Sequence, residues 1–570
     1  MPKIKIDGEE LEVELGTTIL EAAKEVQVNI PTLCYLEELS VYGGCRLCVV
    51  EIEGEKNLKP ACATEIAEGM EIKTHSEKVR RVRKNIFELI ISSHNIGCEL
   101  NCLDCSWNIS CELKEIAELI EIDQSRLDSI NERYDDDNSS HAVVRKMNKC
   151  IDCTRCVRKC EEIQGVGIFT KANRGPETLI TTFKNKGMGN VECANCGQCI
   201  HACPTGALHE SYHYNSVWHF LNDDSKFVVV QTAPSVRVAL SEGFGEEPGT
   251  VATGQMVAAL RRLGFDRVFD TNFSADLTIM EEGYELIGRI KEGGKLPMFT
   301  SCSPGWIKFI EHFYPEYLPH LSTCKSPQQM LGAVAKSYYA EQHGINVEDM
   351  IVVSVMPCTA KKFEASRLEM EDDVDFVLTT RELIRMIKES GLDMMNLAEE
   401  KADKMMGASS GAADIFGATG GVMEAALRTA YEVITEEELG KLDFKTLRGL
   451  AGIKEAEVEI GELTVKAAVA HGLGNAKELM ERIEAGAEYH FVEVMACPGG
   501  CVGGGGQPVP TNQETVEKRL NSLYQIDAEK KLRKSHENPE IKAIYEEFLG
   551  EPGAKKSHDL LHTHYIPRSI

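Results

Sequence analysis

No apolar stretch in the 570-residue chain approaches the ~20 residues that a membrane-spanning helix needs. Its first residues, MPKIKIDGEELEV, lack the apolar h-region of a signal peptide. Basic residues are in short supply: 62 Lys plus Arg face 90 Asp plus Glu, a formal charge of -28. That excess of acid argues against nucleic acid or an anionic membrane surface as partner, and its ordinary consequence is solubility. At 43% hydrophobic and 27% charged the composition is that of a globular protein. The chain is too long for one core, so several domains are expected. Together these absences predict a cytoplasmic protein whose thiols stay reduced.

Against that background the 21 cysteines need an explanation other than disulfides. Sixteen lie between Cys34 and Cys203, in four groups with ligand-like spacing, which points to metal and specifically to iron-sulfur clusters. KIKIDGEELEVELG has the period-two pattern of a hairpin, and TTILEAAKEV that of a helix with a Thr at its N-cap. Cys34, Cys45, Cys48 and Cys62 follow as C-x10-C-x2-C-x13-C, with Gly43 and Gly44 letting the backbone wrap close to a cluster. This resembles the 2Fe-2S ferredoxin module of respiratory complex I and related hydrogenases. A zinc site is the alternative, and the Gly-rich wrap after a β-grasp-like start favours iron.

KVRRVRKNIFELIISSH has helical spacing and ends at His94. Beyond it stand Cys98, Cys102, Cys105 and Cys111. The last three are similar to the family module in which one His and three Cys hold a 4Fe-4S cluster. The gap from His94 to Cys102 is longer here than in that module, so either His94 or the extra Cys98 is the fourth ligand. Imidazole is neutral and thiolate anionic, so the choice alters the cluster's charge and potential. Next come Cys150-x2-Cys153-x2-Cys156-x3-Cys160 and Cys193-x2-Cys196-x2-Cys199-x3-Cys203-Pro204. In this two-cluster ferredoxin pattern the fourth Cys of each run serves the other cluster. Cys150, Cys153, Cys156 and Cys203 are then one 4Fe-4S ligand set, and Cys193, Cys196, Cys199 and Cys160 the other.

From about Lys226 cysteines become sparse and strands alternate with helices. FVVVQTAPSVRVAL, PMFTSCSPGWIKFI, MIVVSVMPCTAKK, DFVLTTRELIRMI and KAAVAHGLGNAKELMERI each read strand, turn, helix, which predicts parallel sheet covered by helices. Sites in such sheets form at the carboxyl ends of strands, where Cys302, Cys358 and Cys497 fall. GATGGVMEAAL and HGLGNAKEL lack the GxGxxG fingerprint and read as loop packing rather than nucleotide binding. In the polar tail, HDLLHTHY supplies His558, His562 and His564, which read as part of a surface wrap rather than as a metal site.

TSCSPGW, MPCTAKKFE and MACPGGCVGGGGQP together resemble the three signature loops of the FeFe hydrogenases. The likeness extends to the large clostridial-type monomer and to the hydrogen-activating subunit of multimeric NAD(P)-linked enzymes. It implies reversible reduction of protons to hydrogen at a 4Fe-4S cluster joined by a cysteine sulfur to a di-iron unit carrying CO, cyanide and a bridging amine dithiolate. It also implies one 2Fe-2S and three accessory 4Fe-4S clusters, dedicated maturation proteins, and either ferredoxin or flavin/NAD(P)-binding subunits as electron partners. The fold implied is multidomain α+β and α/β: a 2Fe-2S ferredoxin-like domain (1–78), a small helical His/Cys 4Fe-4S domain (79–125), a two-cluster ferredoxin-like domain (126–215), a large α/β catalytic domain with parallel sheets (216–510) and a C-terminal wrap (511–570).

By the same resemblance Cys358, Cys497 and Cys501 ligate the cube, with Cys501 as the bridging thiolate. Pro234, Ser235, Gln328, Lys361, Met356 and Met495 line the di-iron pocket, and Cys302, Glu282, Ser322, Glu285 and Arg289 carry protons. The family's loop reads TSCCP, and its second Cys is the cube's fourth ligand. Ser303 stands there instead, a harder donor that gives up its proton far less readily. Three outcomes follow: an oxygen-ligated cube, Cys302 diverted to the cube, or a three-ligand, impaired centre. The last would make the chain a hydrogenase-like redox sensor or electron-transfer subunit rather than a catalyst. Against that, no sensory domain is appended and the relay acids and lysine are all present. A complex I-like input subunit would lack the three late loops.

Overall fold

The computed structural model describes residues 1–94, 111–122, 126–127, 134–404, 406–461 and 463–568. Cys98, Cys102 and Cys105 lie outside the described residues. At the N-terminus the alternating stretch forms β1 (Lys3–Ile6) and β2 (Glu9–Glu12), paired antiparallel. Strands β3 (Val49–Ile52), β4 (Lys59–Pro60) and β5 (Glu71–Lys73) complete a sheet of order β2-β1-β5-β3-β4. The helix Ile19–Glu25 begins at Thr18, whose side chain and Glu21 cap each other's backbone, as the sequence predicts. Helix Glu77–Ser92 buries Phe87 in a second core shared with helix Glu112–Leu119 and the ferredoxin segment around β6 (Val143–Arg145), β7 (Thr170–Ala172), β8 (Leu179–Thr181) and β9 (Leu208–Glu210).

The rest of the chain carries β10 (Phe227–Thr232), β11 (Arg267–Asp270), β12 (Met298–Phe299), β13 (Met350–Met356), β14 (Phe376–Thr379), β15 (Ile453–Ile460), β16 (Leu463–His471) and β17 (Phe491–Met495). They make two sheets, β11-β10-β13-β14, all parallel, and β12-β17-β16-β15, parallel except for the β15–β16 hairpin. The β13 strand is buried along its whole length, as a central parallel strand between helical layers must be. The second sheet departs from the all-parallel expectation because β15 folds straight back through Gly461, whose φ of +63° suits the tight reversal.

One helix expected from sequence is absent. After β10, residues 233–239 run through successive turns, followed by a short 3-10 helix at Leu240–Phe244. Arg237 lies within these turns, buried, with its guanidinium donating to Asp270 (2.7 Å) and Asp414 (3.3 Å). Long-range ion pairing has overridden local propensity there.

The tail is tied to the catalytic region by buried charge. Arg428 donates to Asp527 (2.8 and 2.9 Å) and Glu424 (2.6 Å), all three fully buried. Removing one partner of such a network leaves uncompensated charge in the interior, at a cost of about 3–5 kcal/mol. Asp527→Ala is therefore expected to lower the thermal unfolding midpoint, and an unchanged midpoint would show that Arg428 finds other compensation.

Candidate active site

Three Cys-bearing turns leave the carboxyl ends of β12, β13 and β17 and meet. The Lys361 ammonium, one turn beyond Cys358, donates to the Cys302 carbonyl (3.2 Å), the Ser326 hydroxyl (2.6 Å) and Glu364 (2.9 Å). The Ala496 N–H donates to the Ser303 hydroxyl at 3.2 Å, joining the first turn to the third. Gly500 holds a φ of +91°, and a Cβ there would sit 2.8 Å from the Thr419 nitrogen. At Gly505 a Cβ would lie 2.3 Å from the Cys196 carbonyl oxygen, so only glycine lets this turn approach the ferredoxin segment so closely. Cys497 Sγ lies 3.8 Å from that same carbonyl, and the Gln198 amide donates to Gly503 O at 2.9 Å.

The donor set suits a cube. Cys358, Cys497 and Cys501 are mutually close enough that each thiolate would feel the others' charge, and burial pushes the Cys497 and Cys501 thiols up to about 12. Such thiols ionise only against a cation, which an iron cluster supplies. Two further features suit a buried polar group: among the described residues the Ser235 hydroxyl is fully buried without a hydrogen-bond partner, and the carboxylate of Glu282 is fully buried as well. Pro234 and Ser235 follow the end of β10, and Met356 and Met495 end β13 and β17, all buried. Gln328 is turned otherwise: its amide donates to Glu364 (3.2 Å) and the Lys361 carbonyl (3.4 Å) and accepts from Ser354 (2.8 Å). Ser303 is the N-cap residue of helix Pro304–Phe313 but caps nothing with its side chain, because its oxygen is held by Ala496.

The acids sit on the helix Thr271–Glu292, with Glu282, Glu285 and Arg289 on one face. Arg289 donates to Glu285 (2.6 Å), Ser322 donates to Glu285 (2.8 Å), and Arg289 also reaches the Leu321 carbonyl (2.6 Å). Glu282 makes none of these bonds; burial and then the charge of Glu285 push its carboxyl up to about 8. Cys302 lies beyond it, its thiol raised well above the ordinary range by burial and by Glu282. A neutral acid and a neutral thiol between charged groups on both sides form a chain that can carry protons without holding charge in the interior.

Upstream, Cys48 Sγ lies 3.4 Å from Cys62 Sγ, and the charges of Cys34 and Cys45 are coupled to them. Cys150, Cys153, Cys156 and Cys203 line one small cavity. Cys160 is near enough to Cys193 and Cys199, and Cys196 to Cys497, for each to feel the other's charge. His94 is buried, with its Nδ1 3.0 Å from the Lys149 carbonyl, and burial lowers its pKa to about 4. A metal bound at this histidine would therefore meet Nε2. Cys111 is buried at the start of helix Glu112–Leu119.

Sequence reasoning passed over several residues. Glu364 and Ser326 hold Lys361; Glu364 stands one helical turn from it in MPCTAKKFE, which was a usable signal. Glu493 accepts from the Gly420 and Met423 N–H groups (both 2.7 Å), so the chain's own carboxylate fills the helix N-terminus where a phosphate would bind. The GATGG glycines are thus packing residues: a Cβ at Gly420 would meet Leu447 O at 2.1 Å.

The fold and site define an iron-sulfur oxidoreductase in which a ferredoxin-like segment abuts buried acids and thiols at one cluster of cysteines. Residues 226–505 match the iron only hydrogenase large subunit, C-terminal domain, and 513–568 the iron hydrogenase small subunit. Residues 2–77 match a 2Fe-2S iron-sulfur cluster binding domain, and 140–209 the ferredoxin-like domain of NADH-quinone oxidoreductase subunit 3. The chain is 49% identical to NADP-reducing hydrogenase subunit HndD of Solidesulfovibrio fructosivorans, over all of this chain and 99% of that one. It is 41% identical to Iron hydrogenase 1 of Clostridium pasteurianum, over 99% of this chain and all of that one. A solved variant of [FeFe]-hydrogenase HydA1 from Chlamydomonas reinhardtii superposes with a TM-score of 0.57 at 45% identity, covering 63% of this chain and all of that one. The chain belongs to the FeFe hydrogenases and is an iron hydrogenase with iron-sulfur cluster domains.

Proposed function

We propose that this hydrogenase interconverts protons and hydrogen at a 4Fe-4S cube held by Cys358, Cys497, Cys501 and the Ser303 oxygen, with Cys501 bridging to a di-iron unit. The observation that carries the reading is the 3.8 Å approach of Cys497 Sγ to the Cys196 carbonyl, in the same loop as Cys501, whose charge acts on Cys302 together with that of Glu282. When bound, the di-iron unit supplies a reducible metal pair at which protons and electrons combine.

The chain's own residues do the rest. Cys302 Sγ presents a proton to the pocket and is reloaded from Glu282, which is filled in turn through Ser322, Glu285 and Arg289. The Lys361 ammonium, fixed by Glu364 and Ser326, places a positive charge over the pocket for anionic ligands. The Ser235 hydroxyl offers a donor there, and Pro234, Met356 and Met495 exclude water. Gln328 acts through Lys361 and Glu364. Cys34, Cys45, Cys48 and Cys62 would hold a 2Fe-2S cluster; His94, Cys102, Cys105 and Cys111, then Cys150, Cys153, Cys156 and Cys203, then Cys160, Cys193, Cys196 and Cys199 would each hold a 4Fe-4S cluster, and these groups would supply the electron carriers. We divide the chain at 78, 125, 215 and 510 accordingly.

Among the described residues no helix is long and apolar enough to cross a membrane. We place the enzyme in the cytoplasm, exchanging electrons with ferredoxin or with a flavin/NAD(P)-binding subunit. The HndD relative is named an NADP-reducing hydrogenase subunit, which supports the second partner. The protein produced with its maturation proteins should evolve hydrogen from a reduced dye and show infrared bands of CO and cyanide. Full cluster occupancy without hydrogen would favour the redox-sensor reading. For the second module, His94→Ala is expected to lower iron content by about four atoms per chain, and Cys98→Ala to leave it unchanged. The reverse pattern would assign Cys98 as ligand.

A further inference from the structure

Among the 21 cysteines, Cys324 belongs to no cluster set and no relay position, yet it is fully buried beside the outer end of the proton chain. Backbone pairing sets it opposite His562: Lys325 N donates to Leu561 O and Thr563 N to Thr323 O, both at 2.7 Å. Cys324 Sγ lies 3.9 Å from Glu285 Oε2. One ligating atom each from Glu285, Cys324 and His562 all fall within 4.8 Å of one another. His562, read from sequence as surface wrap, is buried instead, because the tail's last helix ends against the relay helix.

We propose that Glu285, Cys324 and His562 form a zinc-class divalent metal site whose occupation withdraws Glu285 from the proton chain. A thiolate, an imidazole and a carboxylate are the zinc donor set, with a fourth position left to water. The imidazole is already prepared. His562 Nε2 lies 3.1 Å from Glu281 Oε2, and Glu281 is itself fixed by the Tyr545 hydroxyl (2.5 Å) and the Gly553 N–H (2.8 Å). A carboxylate on one ring nitrogen sets the tautomer and raises the basicity of the other, the arrangement found behind metal-bound histidines. Among the described residues Nδ1 meets the Thr323 hydroxyl, 2.8 Å away, which can rotate aside.

The electrostatics point the same way. Burial and the charges of Glu285, Glu282 and Glu281 raise the Cys324 thiol, while Arg289 is paired with Glu285. A dication reverses that field. Binding releases the thiol proton to solvent and requires no redox step. It takes the Glu285 carboxylate from Ser322 and Arg289, which severs the chain outside Ser322.

The inhibitory half of this inference rests on Glu285 being a relay group, and the test separates the two. Matured enzyme is dialysed anaerobically against zinc sulfate and assayed for bound zinc, cluster iron and dye-driven hydrogen evolution. We expect one zinc per chain at unchanged iron, a zinc absorption edge fitted with one sulfur at about 2.3 Å, and at least a tenfold loss of activity restored by a chelator. Cys324→Ala should keep its activity without zinc and need at least tenfold more zinc for half inhibition. No retained zinc, zinc with only nitrogen and oxygen neighbours, or equal sensitivity in Cys324→Ala would overturn the site. Zinc bound through Cys324 with full activity would leave the site standing and remove Glu285 from the relay.

Discussion

Glu282→Gln is expected to cut hydrogen evolution by about 10²–10⁴-fold, the range for a positioned proton donor, while iron content and infrared bands stay as in the parent. Gln fills the same space but cannot release or accept a proton at the position between Cys302 and Ser322. The parent should show a matching pH dependence. Its Glu282 holds a proton up to about 8, so delivery toward the pocket falls as pH rises through that value, and hydrogen oxidation, which needs the ionised acceptor, gains. Stability follows the same group. Between the ordinary value of 4.5 and about 8 the native chain holds a proton that the unfolded chain has released. This contribution is therefore fully present below 4.5, declines through the window and is gone above about 8. Glu282→Gln should flatten that part of the stability profile. Activity within a few-fold of the parent would remove Glu282 from the relay.

Ser303 carries the second large effect. An alkoxide oxygen is harder than thiolate and favours ferric iron, so Ser303→Cys is expected to raise the cube's reduction potential and change its EPR signal without loss of iron. Ser303→Ala leaves three thiolates and also strands the Ala496 N–H, which now donates to the Ser303 oxygen. Cluster retention should fall by more than the about 10–100-fold typical of losing a mere outer-shell partner. If Ser303→Ala keeps both the iron and the parent spectrum, the oxygen is no ligand, and Cys302→Ala should then cost the cube as well as the proton path. The fold places obstacles before that alternative: the Cys302 carbonyl is pinned by Lys361 and the next residue opens a helix.

The cluster-binding domains and the three late loops were legible because cluster ligands must stand within bonding reach of one metal group, which imposes short, regular spacings on the chain. The strand-turn-helix units were legible for the same local reason, through hydrophobic periodicity. The exceptions are instructive. PSVRVAL has a helical pattern and forms turns, because Arg237 is drawn to Asp270 and Asp414, far along the chain. GATGG reads as packing and packs, but the group that occupies its helix start, Glu493, could not be foreseen.

By itself, then, the sequence determined the class of chemistry, the order of the modules and the thiols available, since these depend on residue type and local spacing. Only the tertiary structure decided what each polar group faces. It put Ser326 on Lys361, buried the Glu282 carboxyl so that its pKa is raised, and seated His562 between Glu281 and Cys324. Those relations join residues tens to hundreds of positions apart. Burial and electrostatics act through space, and no local pattern in the chain encodes them.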